Sequence, residues 1–391
     1  MTRTRDDLHR ALREEVAARA DALWDVALRL HADPEYAFAE HRAAALLSGE
    51  LERGRFAVRR GVAGMPTAFT GRRGRGRPAV ALLMEYDALP GLGHACGHNL
   101  IAAAGLGAAL AVAAVPEVSA GSVLAVGTPA EEDGGGKVLE AEAGVFDDVD
   151  AALMFHPGVY SWARAPLTAQ VQYRVAFHGR AAHPTGNPAE GVDALAALVE
   201  LFNVLAALGR RLPEGSHVQG VVTHGGTATN IVPEYAEGLF GLRAATTGAL
   251  EDLTERLREC AAGVARATGT TARAERATVR YEHFRDSEVL SERFAAHLAR
   301  AGIALSPPRP GVYLGSSDIG NVSTRVPAVH PFVAIMDEDG SDHTPEFAEA
   351  AASPRARRVL TAVTQALACT AADVLMSAEL REEAWARHRA A

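Results

Sequence analysis

The sequence predicts an α/β protein: a mainly parallel sheet flanked by helices, interrupted by an inserted β-α-β-β-α-β unit. Short, wholly apolar runs alternate with helical patterns over roughly the first 167 residues, as parallel strands covered on both faces do. From about Thr168 the texture changes to apolar and polar residues in alternation, the mark of strands with one solvated face. After about Phe284 the buried-strand texture returns in "VPAVHPFVAIM". The middle segment therefore reads as an insertion, and the expected division is 1–167 and 285–391 as one domain with 168–284 inserted. A length of 391 residues, more than one core usually covers, agrees with two domains.

Taken in order, Leu8, Leu12, Val16, Ala20, Leu23, Val26 and Leu30 recur at helical steps and predict a long first helix. A second helix is expected over Glu40 to Leu51. "PAVALLMEYDALP" gives a buried strand at Ala79 to Met84, and a helix from about Asn99 to Ala114 follows. Next come a strand at Ser122 to Val126, a helix near Lys137 to Ala143, and a short strand ending at His156 in "VDAALMFHPG". The insertion runs "TAQVQYRVAFHGRAAH", a helix over Ala189 to Leu208, strands in "HVQGVVTHGG" and "AEGLFGLRAAT", a helix over Leu250 to Thr268, and "TARAERATVRYEHF".

Composition narrows the function classes. A net charge of −9 argues against a general nucleic-acid binder, and "GRRGRGR" (Gly71 to Arg77) reads as a solvated hairpin turn. The charged N-terminus lacks a signal-peptide core, and the apolar stretch Ala102 to Val115 is too short and Gly-broken for a membrane span, so a cytoplasmic protein is expected. Cys96, Cys260 and Cys369 are few, odd in number and widely spaced, which does not suit a disulfide framework. Lys137 is the only lysine, a bias read as base composition of the gene.

Polar groupings follow the predicted strands: Glu85 and Asp87 with Cys96 and His98, then Glu131 with Glu132, then His156, and lastly His343. Each alone has an ordinary reading, since a single histidine is usually a hydrogen-bonded core or surface residue and paired glutamates are usually solvated. Their shared position beyond strand ends makes one cleft of them. Thiolate, imidazole and carboxylate donors together suit Zn²⁺ or Mn²⁺. Hydrolysis by metal-activated water also needs a carboxylate that is not a ligand, and adjacent glutamates, whose side chains diverge, can divide that labour. Other site classes fit worse. Cys96 and His98 are poorly spaced for a thiol dyad, "GGGKV" lacks the phosphate-loop spacing, "GSSDIG" is not a nucleophile elbow, and no dinucleotide fingerprint follows Gly105.

In this order, "DALPGLGHACGHN", "GTPAEEDGGGK", "MFHPG", "GRAAHPTGNPAEGVDAL", "GGTATNIVPEYAEGLFGLRA" and "HTPEF" resemble the motifs of the di-metal aminoacylase and carboxypeptidase family, peptidase family M20. The likeness is to its amidohydrolase branch, near the aminoacylase-1-like and β-alanyl-lysine dipeptidase-type proteins, and runs from about His31 to Phe347. It implies a zinc-peptidase-like catalytic domain holding two divalent ions, Zn or Mn. Cys96 would bridge them, with His98, His156, Glu132 and His343 as the other ligands and Glu131 as general base and acid. The insertion would be a lid and dimerisation domain, making a homodimer in which His183 reaches the partner's site to stabilise the oxyanion. Asn230 and Arg243 would hold the free carboxylate of a small-molecule substrate, a dipeptide or N-acyl amino acid. Neither a nucleic acid nor a membrane partner is expected.

Two departures stand out. Many members carry His-x-Asp at the first strand end, where this chain has Glu85-Tyr86-Asp87, so His98 would take the ligand role with Asp87 orienting it. Many amidohydrolases read Cys-Gly-His-Asp, where this chain has the uncharged Asn99. The rival expectations are a mononuclear deacetylase or decarbamoylase and an idle binding protein on the same fold.

Overall fold

The chain opens on helix α1 (Arg5–Ala32), whose first turn is closed by a reciprocal cap. The Thr4 hydroxyl accepts the Asp7 N–H, and Asp7 reaches back to the Thr4 N–H. In the computed structural model, which describes residues 4–118 and 121–390, Leu8, Leu12, Val16, Leu23, Val26 and Leu30 of this helix are buried. Helix α2 (His41–Arg53) leads into strands β1 (Ala57–Arg60) and β2 (Phe69–Gly74). The segment expected as a turn at Gly71 to Arg77 is therefore partly strand, because Gly71 to Gly74 pair with Ala125 to Ser122. Strand β3 (Ala79–Glu85), helix α3 (His98–Ala114), strand β4 (Ser122–Thr128) and helix α4 (Gly136–Glu142) follow. The strand expected to end at His156 is two short ones, β5 (Ala151–Leu153) and β6 (His156–Gly158), so His156 opens a strand.

The middle of the chain runs β7 (Ala169–His178), α5 (Ala194–Gly209), β8 (His217–His224), β9 (Tyr235–Ala244), α6 (Thr247–Thr268) and β10 (Thr271–Arg276), the expected β-α-β-β-α-β order. Helix α5 starts later than the expected Ala189, because Gly191 is extended and the Asp193 carboxylate caps the helix through the Ala196 N–H. The remainder supplies α7 (Glu288–Arg300), α8 (Ile319–Ser323), β11 (Ala328–Val329), β12 (Phe332–Ala334), α9 (Pro345–Ala350), α10 (Pro354–Met376) and α11 (Ala378–Ala390).

The chain divides into two units, one of Met1–Pro166, Phe284–Val312 and Asp318–Ala391, the other of Leu167–His283 and Tyr313–Ser317. In the first unit the described strands order as β1-β2-β4-β3-β5-β11. The pairs β4–β3, β3–β5 and β5–β11 are parallel, while β1 and β2 add an antiparallel edge. Every residue of β3 and β4 is buried, which explains their unbroken apolar texture. Helix α3 packs against β3, α1 and α10. Two glycines permit that approach: a Cβ on Gly105 would stand 2.4 Å from the Leu83 carbonyl oxygen, and one on Gly107 would stand 2.5 Å from Leu23. Helix α10 has the length and apolarity of a bilayer span, yet 83% of that window is buried within the fold, as a core helix requires.

The second unit is an antiparallel sheet ordered β10-β7-β9-β8. Helices α5 and α6 bury Leu198, Leu201, Leu250 and Leu257 with Phe177 and Phe240 of the sheet. Strand β8 is an edge of that sheet.

Candidate metal centre

In the first unit, residues beyond the C-terminal ends of the parallel strands converge. Glu85 ends β3 and Asp87 follows it. Gly97, at φ +76°, turns the chain into α3, and a side chain there would strike Pro157 at 2.5 Å. Cys96 thus precedes the turn and His98 begins the helix, both facing the same space. Glu131 and Glu132 follow β4 after Ala130, itself held at φ +58°. His343 also has a positive φ, +57°, and its N–H donates to the Ala95 carbonyl at 2.9 Å, tying its loop to that of Cys96.

The side chains meet closely. Cys96 Sγ lies 3.5 Å from His156 Nε2, and His343 Nε2 lies 3.5 Å from Glu132 Oε1. His98 Nε2 is 3.9 Å from both Glu131 Oε2 and Glu132 Oε1. Ligand atoms of Cys96, His98 and His156 all lie within 4.8 Å of one another, as do those of Cys96, Glu132 and His343, and those of His98, Glu131 and Glu132. The first two groups share Cys96, so the sulfur stands where the two donor sets meet. All five expected ligands and Glu131 are thereby brought together.

The donors fit a cation. His98 Nε2 and Glu132 Oε1 are buried without a hydrogen-bond partner, an expensive state for polar atoms unless an ion takes them up. The opposite ring nitrogen, His98 Nδ1, lies 3.0 Å from Asp87 Oδ1, which fixes the tautomer that presents the Nε2 lone pair. The other oxygen of Asp87 accepts the Glu132 N–H at 2.9 Å, so one carboxylate orients two donors. His156 Nδ1 is 2.6 Å from the Pro157 carbonyl oxygen, leaving its Nε2 toward Cys96. Sulfur with imidazole and carboxylate is a donor set suited to a divalent transition metal.

Electrostatics separate the two glutamates. Burial, then Glu132, Glu85 and Asp318, push the Glu131 carboxyl well above its ordinary range. Burial also opposes the charge on Glu132, but His343 and His98 outweigh it and hold that carboxyl below its usual range. Burial pushes the Cys96 thiol up, with Glu132 adding to it, and lowers His156.

Asn99 faces away from this cluster: its Nδ2 donates to the carbonyls of Ala27 and Ala351 at 3.2 and 3.3 Å. The missing carboxylate at this position is thus a packing feature between α1 and the end of α9. What sequence reasoning overlooked is Lys137 with Asp318. Fully buried, Lys137 Nζ lies 2.6 Å from Asp318 Oδ1 and 2.5 Å from Glu85 Oε1. Asp318 sits in "GSSDIG", weighed only as a nucleophile motif, and a solitary lysine in an arginine-rich chain was the available signal.

His183, Asn230 and Arg243 belong to the second unit. His183 is exposed; its Nδ1 accepts the N–H groups of Thr185 and Gly186 at 3.2 and 3.0 Å, so the neutral ring carries its proton on Nε2. Asn230 is exposed after β8. Arg243, on β9, is half-buried and donates to Ser316 Oγ at 2.9 Å.

Comparison with known proteins bears on both units. The profile of the peptidase dimerisation domain of the M20 family matches residues 169–268. The Xaa-Arg dipeptidase of Mus musculus is 36% identical, over 96% of this chain and 90% of that protein. One of the chains that make up the p-aminobenzoyl-glutamate hydrolase of Escherichia coli is 36% identical, over 68% of this chain and 58% of that one. Among solved structures, the Bacillus subtilis YXEP protein, a dinuclear metal binding peptidase from the M20 family, aligns with a TM-score of 0.72 at 22% identity, covering 92% of this chain and 99% of that one. The aminobenzoyl-glutamate utilization protein from Klebsiella pneumoniae aligns at 0.68 with 20% identity, covering 93% and 98%. With a full-length relative at that identity, the chain belongs to the M20 metallopeptidase family, in its amidohydrolase branch, and is a metal-dependent amide hydrolase.

Proposed function

We propose that the chain hydrolyses the amide bond of a dipeptide or N-acyl amino acid bearing a free carboxylate, with two divalent ions, Zn²⁺ or Mn²⁺, as cofactors. The observation that carries this reading is the convergence of two donor groups that share Cys96, with Glu131 beside His98 as a carboxylate belonging to neither group. Cys96, His98, Glu132, His156 and His343 would hold the ions. When bound, the ions would supply Lewis acidity that eases loss of a proton from water and polarises the amide carbonyl. Glu131 takes that proton and returns it to the leaving amine nitrogen. Arg243 pairs its planar fork with the substrate carboxylate, and Asn230 adds a hydrogen bond.

The proposal includes a cytoplasmic homodimer through the second unit. Val221 and Val222 on edge strand β8 are 54% and 51% exposed, and Val199 and Val204 on α5 are 48% and 38% exposed, which favours a covered face. In that dimer the partner subunit's His183 would donate from Nε2 to the developing oxyanion. The similar proteins named for Xaa-Arg dipeptides and p-aminobenzoyl-glutamate share the proposed substrate class, an amide made to an amino acid. The test is Glu131→Gln on a panel of dipeptides, N-acyl amino acids and their carboxamides. Turnover should fall by about 10²–10⁴-fold, and the carboxamides should be poor substrates of the native enzyme. Near-native turnover by Glu131→Gln with metal retained would overturn the mechanism.

A further inference from the structure

The proposed ligand set leaves one buried carboxylate unused at the mouth of the parallel sheet. Glu85, the last residue of β3, is fully buried, and its Oε2 makes no hydrogen bond. That oxygen lies 3.5 Å from His98 Nε2, closer than either Glu131 or Glu132 comes to the same nitrogen, at 3.9 Å each. Two donors of one ion, each about 2.0–2.2 Å from it, stand at such separations. The carboxylate is also held in place. Its Oε1 lies 2.5 Å from Lys137 Nζ, and Lys137 is fixed by Asp318 through both its backbone N–H, at 2.9 Å, and its ammonium, at 2.6 Å. A lone buried ammonium flanked by two carboxylates is costly to assemble, and a carboxylate oriented by a fixed cation on one oxygen presents the other in a set direction.

We propose that Glu85 is a further oxygen donor of the metal centre and that Lys137, anchored by Asp318, is its positioning residue. This rests on the reading of Cys96, His98, Glu132, His156 and His343 as the metal site.

The experiment titrates Zn²⁺ and Co²⁺ into chelator-stripped protein against a chromophoric competitor, for the native chain, Glu85→Gln, Lys137→Met and the charge-balanced pair Glu85→Gln/Lys137→Met. Circular dichroism and thermal melting confirm folding. Glu85→Gln and the double variant should lose about 10–100-fold in affinity for one equivalent, and the Co²⁺ visible bands should change shape because an oxygen donor is lost. Lys137→Met should show the same loss with a shared spectral change. Native affinity and native Co²⁺ bands in the folded double variant would overturn the proposal. Absence of metal uptake by the native chain would instead overturn the metal-site reading beneath it, and Glu85's role with it.

Discussion

Asp87 Oδ1 lies 3.0 Å from His98 Nδ1, and the same carboxylate's second oxygen accepts the Glu132 N–H. One side chain therefore sets the direction of an imidazole and of the backbone that carries both glutamates. Asp87→Asn offers one carbonyl oxygen where two acceptors are needed, and turns an amide N–H₂ toward one of two donors. Metal affinity should fall by about 10–100-fold, read by competition with a chromophoric chelator, while the far-ultraviolet circular dichroism stays native. An unchanged affinity would remove Asp87 from the positioning role.

Asn99 gives a prediction of the opposite kind. Its amide donates to the carbonyls of Ala27 and Ala351 and is fully buried, so an aspartate there would set a charge against two carbonyl oxygens. Asn99→Asp should destabilise the fold by about 1–3 kcal/mol or more, the cost of an unsatisfied buried polar group, seen as a lowered Tm. The number of metal equivalents should not change, because the side chain points at α1 and the end of α9. A native Tm with altered metal stoichiometry would reverse this assignment.

Much of this site was legible in the sequence because its parts are local. Cys96 and His98 flank a glycine in one loop, Glu131 and Glu132 are adjacent, and each group lies beyond a short apolar run that reads as a buried strand. What was not legible depended on pairing between distant segments. Asp318 meets Lys137 across 181 positions in sequence, and no periodicity announces that bond. Strands β1 and β2 escaped notice for a related reason: β1 is largely exposed and β2 is interrupted by arginines, so neither has the apolar texture of β3. Their strand character comes from pairing with each other and with β4.

The proposed exchange of His183 between subunits has a direct test. Because Nδ1 accepts two backbone N–H groups, His183→Asn loses the Nε2 donor at its full reach. His183→Asn and His183→Ala should each lower kcat by about 10²–10³-fold with the metal retained. If the histidine serves the partner's site, mixing inactive His183→Ala with inactive Glu131→Gln should restore activity, since the mixed dimer contains one intact site. No recovery after subunit exchange, with mixed dimers demonstrated, would place His183 in its own chain's site or outside catalysis.

Asp373 on α10 ties together three helices. His9 Nε2 of α1 lies 3.0 Å from one carboxylate oxygen, His297 Nε2 of α7 lies 2.8 Å from the other, and Arg5 Nε of α1 stands 3.8 Å away. Burial opposes the charge, but hydrogen bonds from His297 and His9 outweigh it and hold the Asp373 carboxyl well below the usual carboxylate range. A group depressed in the folded state adds stability above its unfolded value, about 3.9 for aspartate, and loses that contribution as pH falls through the folded value. Asp373→Asn should therefore be less stable than the native chain at pH 6, by about 1–3 kcal/mol for a lost charged hydrogen-bond acceptor. The gap should narrow steadily as pH drops below about 4. Urea unfolding of metal-free protein between pH 6 and pH 2.5 measures it, and a gap that stays constant over that range would show that the clasp does not depend on the Asp373 charge.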